Sequence, residues 1–249
     1  MNDQFKHYYK RYLKCAEHGD AEAQYRLGEL FYNGENISNI KKDVWIQYKM
    51  FGHGAISPTY FKEAVEWEKG FHEAVKWYKK AADQGHVGSQ YRLGCVYNIL
   101  SGLGDPYVYD ESRERYKEAA EEWYQEAADR GYADAQHALG VLYEFTHKSE
   151  SEATTWYRQA AEQGHAMAQY CLGRINGDAY WVQKAAEQGI NEAQCLLGIM
   201  YHFGEGGVPK DSQAAVKWLE FAVRNRYAEA QRYLDQWYPK KSWLNKLFS

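Results

Sequence analysis

Apolar and small residues recur along this chain in one pattern, written six times. The clearest copy runs from Trp77 to Tyr97, WYKKAADQGHVGSQYRLGCVY. Trp77, Ala81 and Ala82 lie one helical turn apart on one face, and Leu93 and Tyr97 are turn-spaced partners in a second stretch. The pattern predicts a helix, a turn and a second helix. Gly85 ends the first helix, where a left-handed cap favours glycine. Gly94 sits inside the second, where glycine costs about 1 kcal/mol against alanine. The expected compensation is a neighbouring helix that crosses there and leaves no room for a methyl group.

Further copies start at Trp123, Trp156 and Trp181, and degenerate ones at Arg11 and Trp218. The first glycine follows each tryptophan by 8 residues in the four clear copies, and the second glycine follows the first by 9. Spacing this constant marks a rigid packing unit, and we expect the tryptophans to fill its core. Truncating Trp123 or Trp156 to alanine would then cost roughly 3–5 kcal/mol.

Between copies the chain varies. Residues 4–17 predict a lone first helix that caps the array, and 21–33 the second helix of the first full repeat. Insertions fall at 35–71 and 99–117. Ser57-Pro58 is a good helix start, so the helix ending near Ala82 is expected to reach back to about residue 59. Trp181 follows Asn176 by only 5 positions, whereas Trp218 follows Tyr201 by 17. The helix carrying Trp181 is therefore expected to lose about three turns. In the last copy Arg226 and Asp235 replace both glycines, as suits a terminal repeat. Pro239 stops the final helix, and the basic, aromatic tail is read as a cap at 239–249 that could otherwise meet an acidic partner or a membrane. The whole chain, 1–249, reads as one array.

Composition narrows the function. The 249 residues carry 30 basic and 34 acidic side chains, a net charge of −4, which gives no reason to expect nucleic acid. No stretch of 18 apolar residues occurs, so no membrane span is expected, and the start lacks a signal-peptide pattern, which points to the cytoplasm. The 23 tyrosines and 9 tryptophans exceed what a core needs and suggest amphipathic contact surface. Cys15, Cys95, Cys171 and Cys195 fall at four different frame positions; pairing is open to them, but buried thiols are the simpler reading.

Phosphate-binding glycine loops, a nucleophile elbow and His-Glu-x-x-His are all absent. His18, His86 and His165 border the turns and read as capping or surface residues. Cys171, Cys195 and His202 lack metal-site spacing. No carboxylate pair stands out as an acid–base dyad. Neither cofactor nor metal is expected, and no enzyme.

The unit beginning at Gly189 resembles the Sel-one-like repeat (SLR), a relative of the tetratricopeptide repeat. The matching residues are Ala193-Gln194, Leu197-Gly198, Tyr201, Gly204-Glu205-Gly206, Val208, Asp211, Ala215 and Trp218; Gly207 is an extra glycine. The resemblance implies an all-α, right-handed superhelical solenoid of antiparallel helix pairs. Helix A (Ala-Gln…Leu-Gly…Tyr) would line the concave face and helix B (Trp) the outside. It also implies an adaptor or scaffold that binds a peptide or protein along that face or the 35–71 region. The alternative, in a family common in bacterial signalling and toxin systems, is an immunity protein that neutralises a cognate toxin. The inward helix-A positions are then the candidate partner-binding residues: Tyr25, Glu29, Tyr32, Tyr91, Asn98, His137, Glu144, Tyr170, Arg174, His202 and Arg232. Cys95, Val141, Ile199 and Gln236 share the face.

Overall fold

The computed structural model describes residues 3–33, 58–102 and 111–239. Most of the 35–71 insertion, part of 99–117 and the tail from residue 240 lie outside the described residues. Twelve α-helices and no strand occur among those described. They are α1 (Asp3–Glu17), α2 (Ala21–Tyr32), α3 (Pro58–Ala82), α4 (Val87–Gly102), α5 (Glu111–Asp129), α6 (Ala133–Leu142), α7 (Glu150–Glu162), α8 (Ala166–Asn176), α9 (Ala179–Glu187), α10 (Asn191–Phe203), α11 (Ser212–Arg224) and α12 (Ala228–Trp237). Odd-numbered helices are the B type and even-numbered ones the A type. The chain divides into two compact units, residues 1–135 and 136–249, and within each unit helices adjacent in sequence pack together.

The B-to-A turns repeat one geometry. Gly19, Gly85, Gly131, Gly164 and Gly189 all have φ between +82° and +93°. Arg226 takes the same place in the last turn at φ +63°, a left-handed cap without glycine. His86 and His165 close two of these turns. In each the ring Nδ1 accepts from the backbone N–H three residues on, at 3.1 Å.

The close approach expected at the helix-A glycine exists, and its partner is the residue after the tryptophan. A Cβ on Gly28, Gly94 or Gly140 would collide with the ring of Tyr78, Tyr124 or Tyr157. At Gly198 the obstacle is Leu219, and at Gly173 it is Val182, backbone nitrogen included. Tyr78, Tyr157, Val182 and Leu219 are fully buried and Tyr124 nearly so. The tryptophans are not: Trp77, Trp123, Trp156, Trp181 and Trp218 are half-buried at the rim. Indole is too large for a gap set by a missing methyl group, whereas the flat edge of a phenol ring fits it. Lys80 lies over Trp77 instead, 4.2 Å from the ring centre.

The shortened fourth repeat also differs from expectation. Helix α9 has 9 residues against 13 in α7 and α11, about one turn less rather than three. Of the twelve residues missing relative to the next repeat, two come from the end of α8, six from the loop and four from the start of α9. Gly177 and Asp178 alone make the turn, with Asp178 capping α9 through Tyr180 N–H. The longer loop of the fifth repeat folds over this turn, and Gly206 O accepts from Ala179 N–H at 3.0 Å. A Cβ on Gly206 would lie 2.9 Å from Gly177 O, so only glycine fits. The loop of one repeat covers the gap in its neighbour.

Candidate functional site

Glutamine near the start of each of the first five A helices supplies a polar seam. Gln24, Gln90, Gln136, Gln169 and Gln194 are all buried. The amide nitrogens of Gln24, Gln169 and Gln194 donate to carbonyls of the preceding B helix at 2.9–3.2 Å. Their oxygens, and that of Gln136, accept from the turn residue of the following repeat: Gln84, Gln163, Gln188 and Asn225. Gln90 breaks the pattern. It donates to Glu126, and Arg130, standing where the turn glutamine would, bonds Gly85 O instead, leaving Gln90 Oε1 buried without a partner. The seam is structural, because in the other four both ends of the amide are used within the fold.

Three of the predicted partner residues join repeats. Tyr25 packs tilted against His86 with ring centres 4.8 Å apart, Tyr91 likewise against Tyr132 at 5.3 Å, and His137 stacks on His165 at 4.7 Å. In each pair the first residue stands three before the helix-A glycine, and the second directly follows the turn glycine of the next repeat. Tyr170 packs beside Ile190 in the same relation. Tyr32 lies in the core against Phe71 and Tyr78. His202 stacks flat on Trp237 at 4.1 Å and meets the Tyr238 hydroxyl at 2.7 Å; burial, then Lys210, lowers its pKa. Ile199 packs beside Cys195 and Leu219.

Glu29 and Glu144 anchor a repeated cluster. In the first unit the Tyr78 hydroxyl donates to Glu29 at 2.6 Å, and Arg92 Nε and Nη2 donate at 2.7 and 3.0 Å. In the second unit the Tyr157 hydroxyl donates to Glu144 at 2.8 Å and Arg174 donates through Nη2. Burial and then Glu29 push Tyr78 well above the usual tyrosine range; burial, Cys171 and Glu144 do the same for Tyr157. Burial alone would pull Arg92 down, but Glu29 and the Tyr25 hydroxyl outweigh it, and the guanidinium stays charged.

Asn98, Val141, Arg174, Arg232 and Gln236 are exposed. Beyond Leu142 helix α6 widens into a π-turn, Tyr143–His147, that the sequence pattern did not reveal. It places Phe145 in solvent at 68% exposure and ends on Lys148 in the left-handed region, φ +53°. An open cleft of about 360 Å³ beside it is lined by Glu144, Lys148, Glu150, Arg174 and Ile175.

None of the four cysteines forms a disulfide. Burial raises Cys171 and, with Glu229, pushes Cys195 up to about 12, so both are protonated thiols at neutral pH. Among the described residues no His, Cys, Asp and Glu cluster could hold a metal, and no helix is long and apolar enough to cross a membrane.

Among solved structures, a Sel1 repeat protein from Oxalobacter formigenes matches with a TM-score of 0.56 and 28% identity, over 85% of this chain and 74% of that one. A protective antigen of uropathogenic Escherichia coli with an SLR fold matches with a TM-score of 0.59 and 25% identity, over 91% of this chain and 50% of that one. A sel1-like repeat-containing protein of Acanthamoeba polyphaga mimivirus is 36% identical over 90 residues, 34% of this chain and 16% of the viral protein's length. The Sel1 repeat family profile matches residues 21–44, 68–86, 87–132, 133–165, 179–190 and 191–227. With more than half of its residues matched, and the helix pairs those matches describe, the chain belongs to the Sel1 repeat family.

Proposed function

We propose that this chain is a non-enzymatic adaptor that takes a peptide or protein partner along its helix-A residues. Sel1 repeat proteins are generally protein-interaction modules, which supports the reading. The observation that carries it is a division among the helix-A side chains. Fixed frame positions are absorbed by packing: the helix-A glycine on its buried neighbour, the glutamine seam and the ring pairs. The varied positions Asn98, Val141, Arg232 and Gln236 stay exposed, outside these packing relations. Side chains that do nothing for stability are available for recognition.

The test is affinity capture with the whole chain followed by mass spectrometry, repeated with Asn98→Glu and with Arg232→Glu. Both sites are exposed, so both variants should fold as the parent does. A partner held by the parent and lost or weakened at least tenfold by either substitution supports the reading. A partner held equally by both variants removes this face from consideration. The identity of a captured protein also separates a general scaffold from an immunity protein, since the latter would retain a single toxin.

A further inference from the structure

We propose that the cleft beside the π-turn of the third repeat docks a partner segment bearing a carboxylate side chain next to an apolar one. The proposal rests on the interaction-module reading and gives it a location and a chemistry. Three observations meet at this point. The first is backbone: a π-turn and a left-handed lysine stand together at Tyr143–Lys148, although glycine serves the left-handed positions of five of the six B-to-A turns. Both are less favourable than regular helix and glycine, and such features cluster where a site is shaped. The second is exposure. The widened turn puts Phe145 in solvent while its neighbour Glu144 stays inside on Tyr157 and Arg174.

The third is charge. Four of the five residues lining the cleft are ionisable, which fits a charged side chain better than an apolar small molecule. Glu144 already accepts on both oxygens, so its charge is satisfied internally. Arg174 contributes Nη2 to Glu144, also bonds the Cys171 thiol, and has further guanidinium N–H groups. The Lys148 ammonium makes no ion pair or hydrogen bond among the described residues. Glu150 opposes it, but in the first turn of α7 its charge is offset by the backbone N–H groups there. The unsatisfied valence is therefore cationic, held by Lys148 and the outer edge of Arg174. Ile175 within the cleft and Phe145 beside Glu144 supply the apolar contact. In the corresponding cluster of the first unit Arg92 spends two donors on Glu29 and lies over the Tyr32 ring at 5.3 Å.

The experiment titrates the full-length, nitrogen-labelled chain with two blocked tripeptides, Phe-Asp-Phe and Phe-Lys-Phe, and follows amide shifts. The acidic peptide should move resonances of residues 144–150 and 174–175, with at least tenfold weaker binding to Lys148→Glu and measurably weaker binding to Phe145→Ser. Both residues are exposed, and circular dichroism will show that the variants remain helical. Absent shifts, equal binding of the two peptides, or unchanged affinity in Lys148→Glu would overturn the proposal. A natural partner captured by the parent and fully retained by Lys148→Glu would also overturn it, while leaving the broader interaction reading intact.

Discussion

Glu29 and Glu144 each hold a buried tyrosine hydroxyl and an arginine of the following repeat, but the two clusters sit one helical turn apart. Glu29 stands one residue beyond its helix-A glycine and Arg92 two before the next; Glu144 stands four beyond and Arg174 one beyond. Both partners have moved by three residues, so their mutual geometry survives. What the junction requires is an anion facing a phenol and a guanidinium across two helices, and the register along the helix is free to slide by a turn. The slide has consequences. At the first position the arginine is bidentate and covered by Tyr32; at the second it is single-pronged and 39% exposed, at the mouth of a cleft. One cluster closes a joint, and the other closes it while leaving charge for a partner.

The largest effect expected from breaking this comparison comes from the tyrosines. Tyr78→Ala and Tyr157→Ala each remove a fully buried ring from a glycine notch and should cost roughly 3–5 kcal/mol in denaturant unfolding, as large core truncations do. Trp156→Ala, next in sequence to Tyr157, should cost about half of that or less, since its ring is only half-buried. Equal losses for Trp156 and Tyr157 would restore tryptophan to the core and dismantle the assignment of the notch.

That reversal shows what the sequence makes legible. Constant spacing exposed the two glycines, because each has a single solution: a left-handed φ at Gly85 and an absent methyl group at Gly94. The helices and their order follow from the same spacing, and the long α3 from the Ser57-Pro58 start. The notch-filling residue was hidden because Val182 and Leu219 replace tyrosine in two copies, while tryptophan stands in all five later copies and draws attention to the rim. Glu29 and Arg174 were legible as inward residues, but their partners were not. Tyr78 lies 49 residues from Glu29, and Arg92 lies 63 away, distances no periodic pattern connects. The aromatic candidates Tyr25, Tyr91 and His137 face the next repeat's turn, a direction set by how repeats stack rather than by position on one helix.

A middle-sized effect should separate the two arginines. Arg92→Met strips a bidentate partner from a carboxylate only 18% exposed and should cost about 2 kcal/mol, within the range for leaving a charged hydrogen-bonding group unsatisfied. Arg174→Met should cost about 1 kcal/mol, because that arginine is more exposed and reaches its carboxylate through one nitrogen rather than two. Double-mutant cycles with Glu29→Gln and Glu144→Gln would measure the coupling directly. If the Arg174 coupling equals or exceeds that of Arg92, the second cluster is closed as tightly as the first, and the spare charge invoked for the cleft disappears.

The smallest effect tests the hydroxyls by themselves. Tyr78→Phe and Tyr157→Phe keep the ring in its notch and remove one charge-assisted hydrogen bond, a loss of about 1 kcal/mol at neutral pH. The same hydroxyls set a pH dependence. Burial, reinforced by the carboxylates, holds both phenols protonated in the folded chain well above the ordinary tyrosine range, whereas the unfolded chain releases these protons near pH 10. Above that pH the folded state binds more protons than the unfolded state, so stability falls as pH rises, by up to about 1.4 kcal/mol per pH unit for each such tyrosine. Below it the contribution is fully present. Tyr78→Phe should therefore be less stable than the parent at pH 7 yet lose stability less steeply between pH 10 and 11. Tyr157→Phe should behave in the same way, because burial, with Cys171 and Glu144, keeps its phenol neutral despite the cleft that Glu144 lines. A parent-like slope in Tyr157→Phe, beside a shallower one in Tyr78→Phe, would mean that solvent reaches the second cluster through the cleft and that the two junctions differ in closure as well as in register.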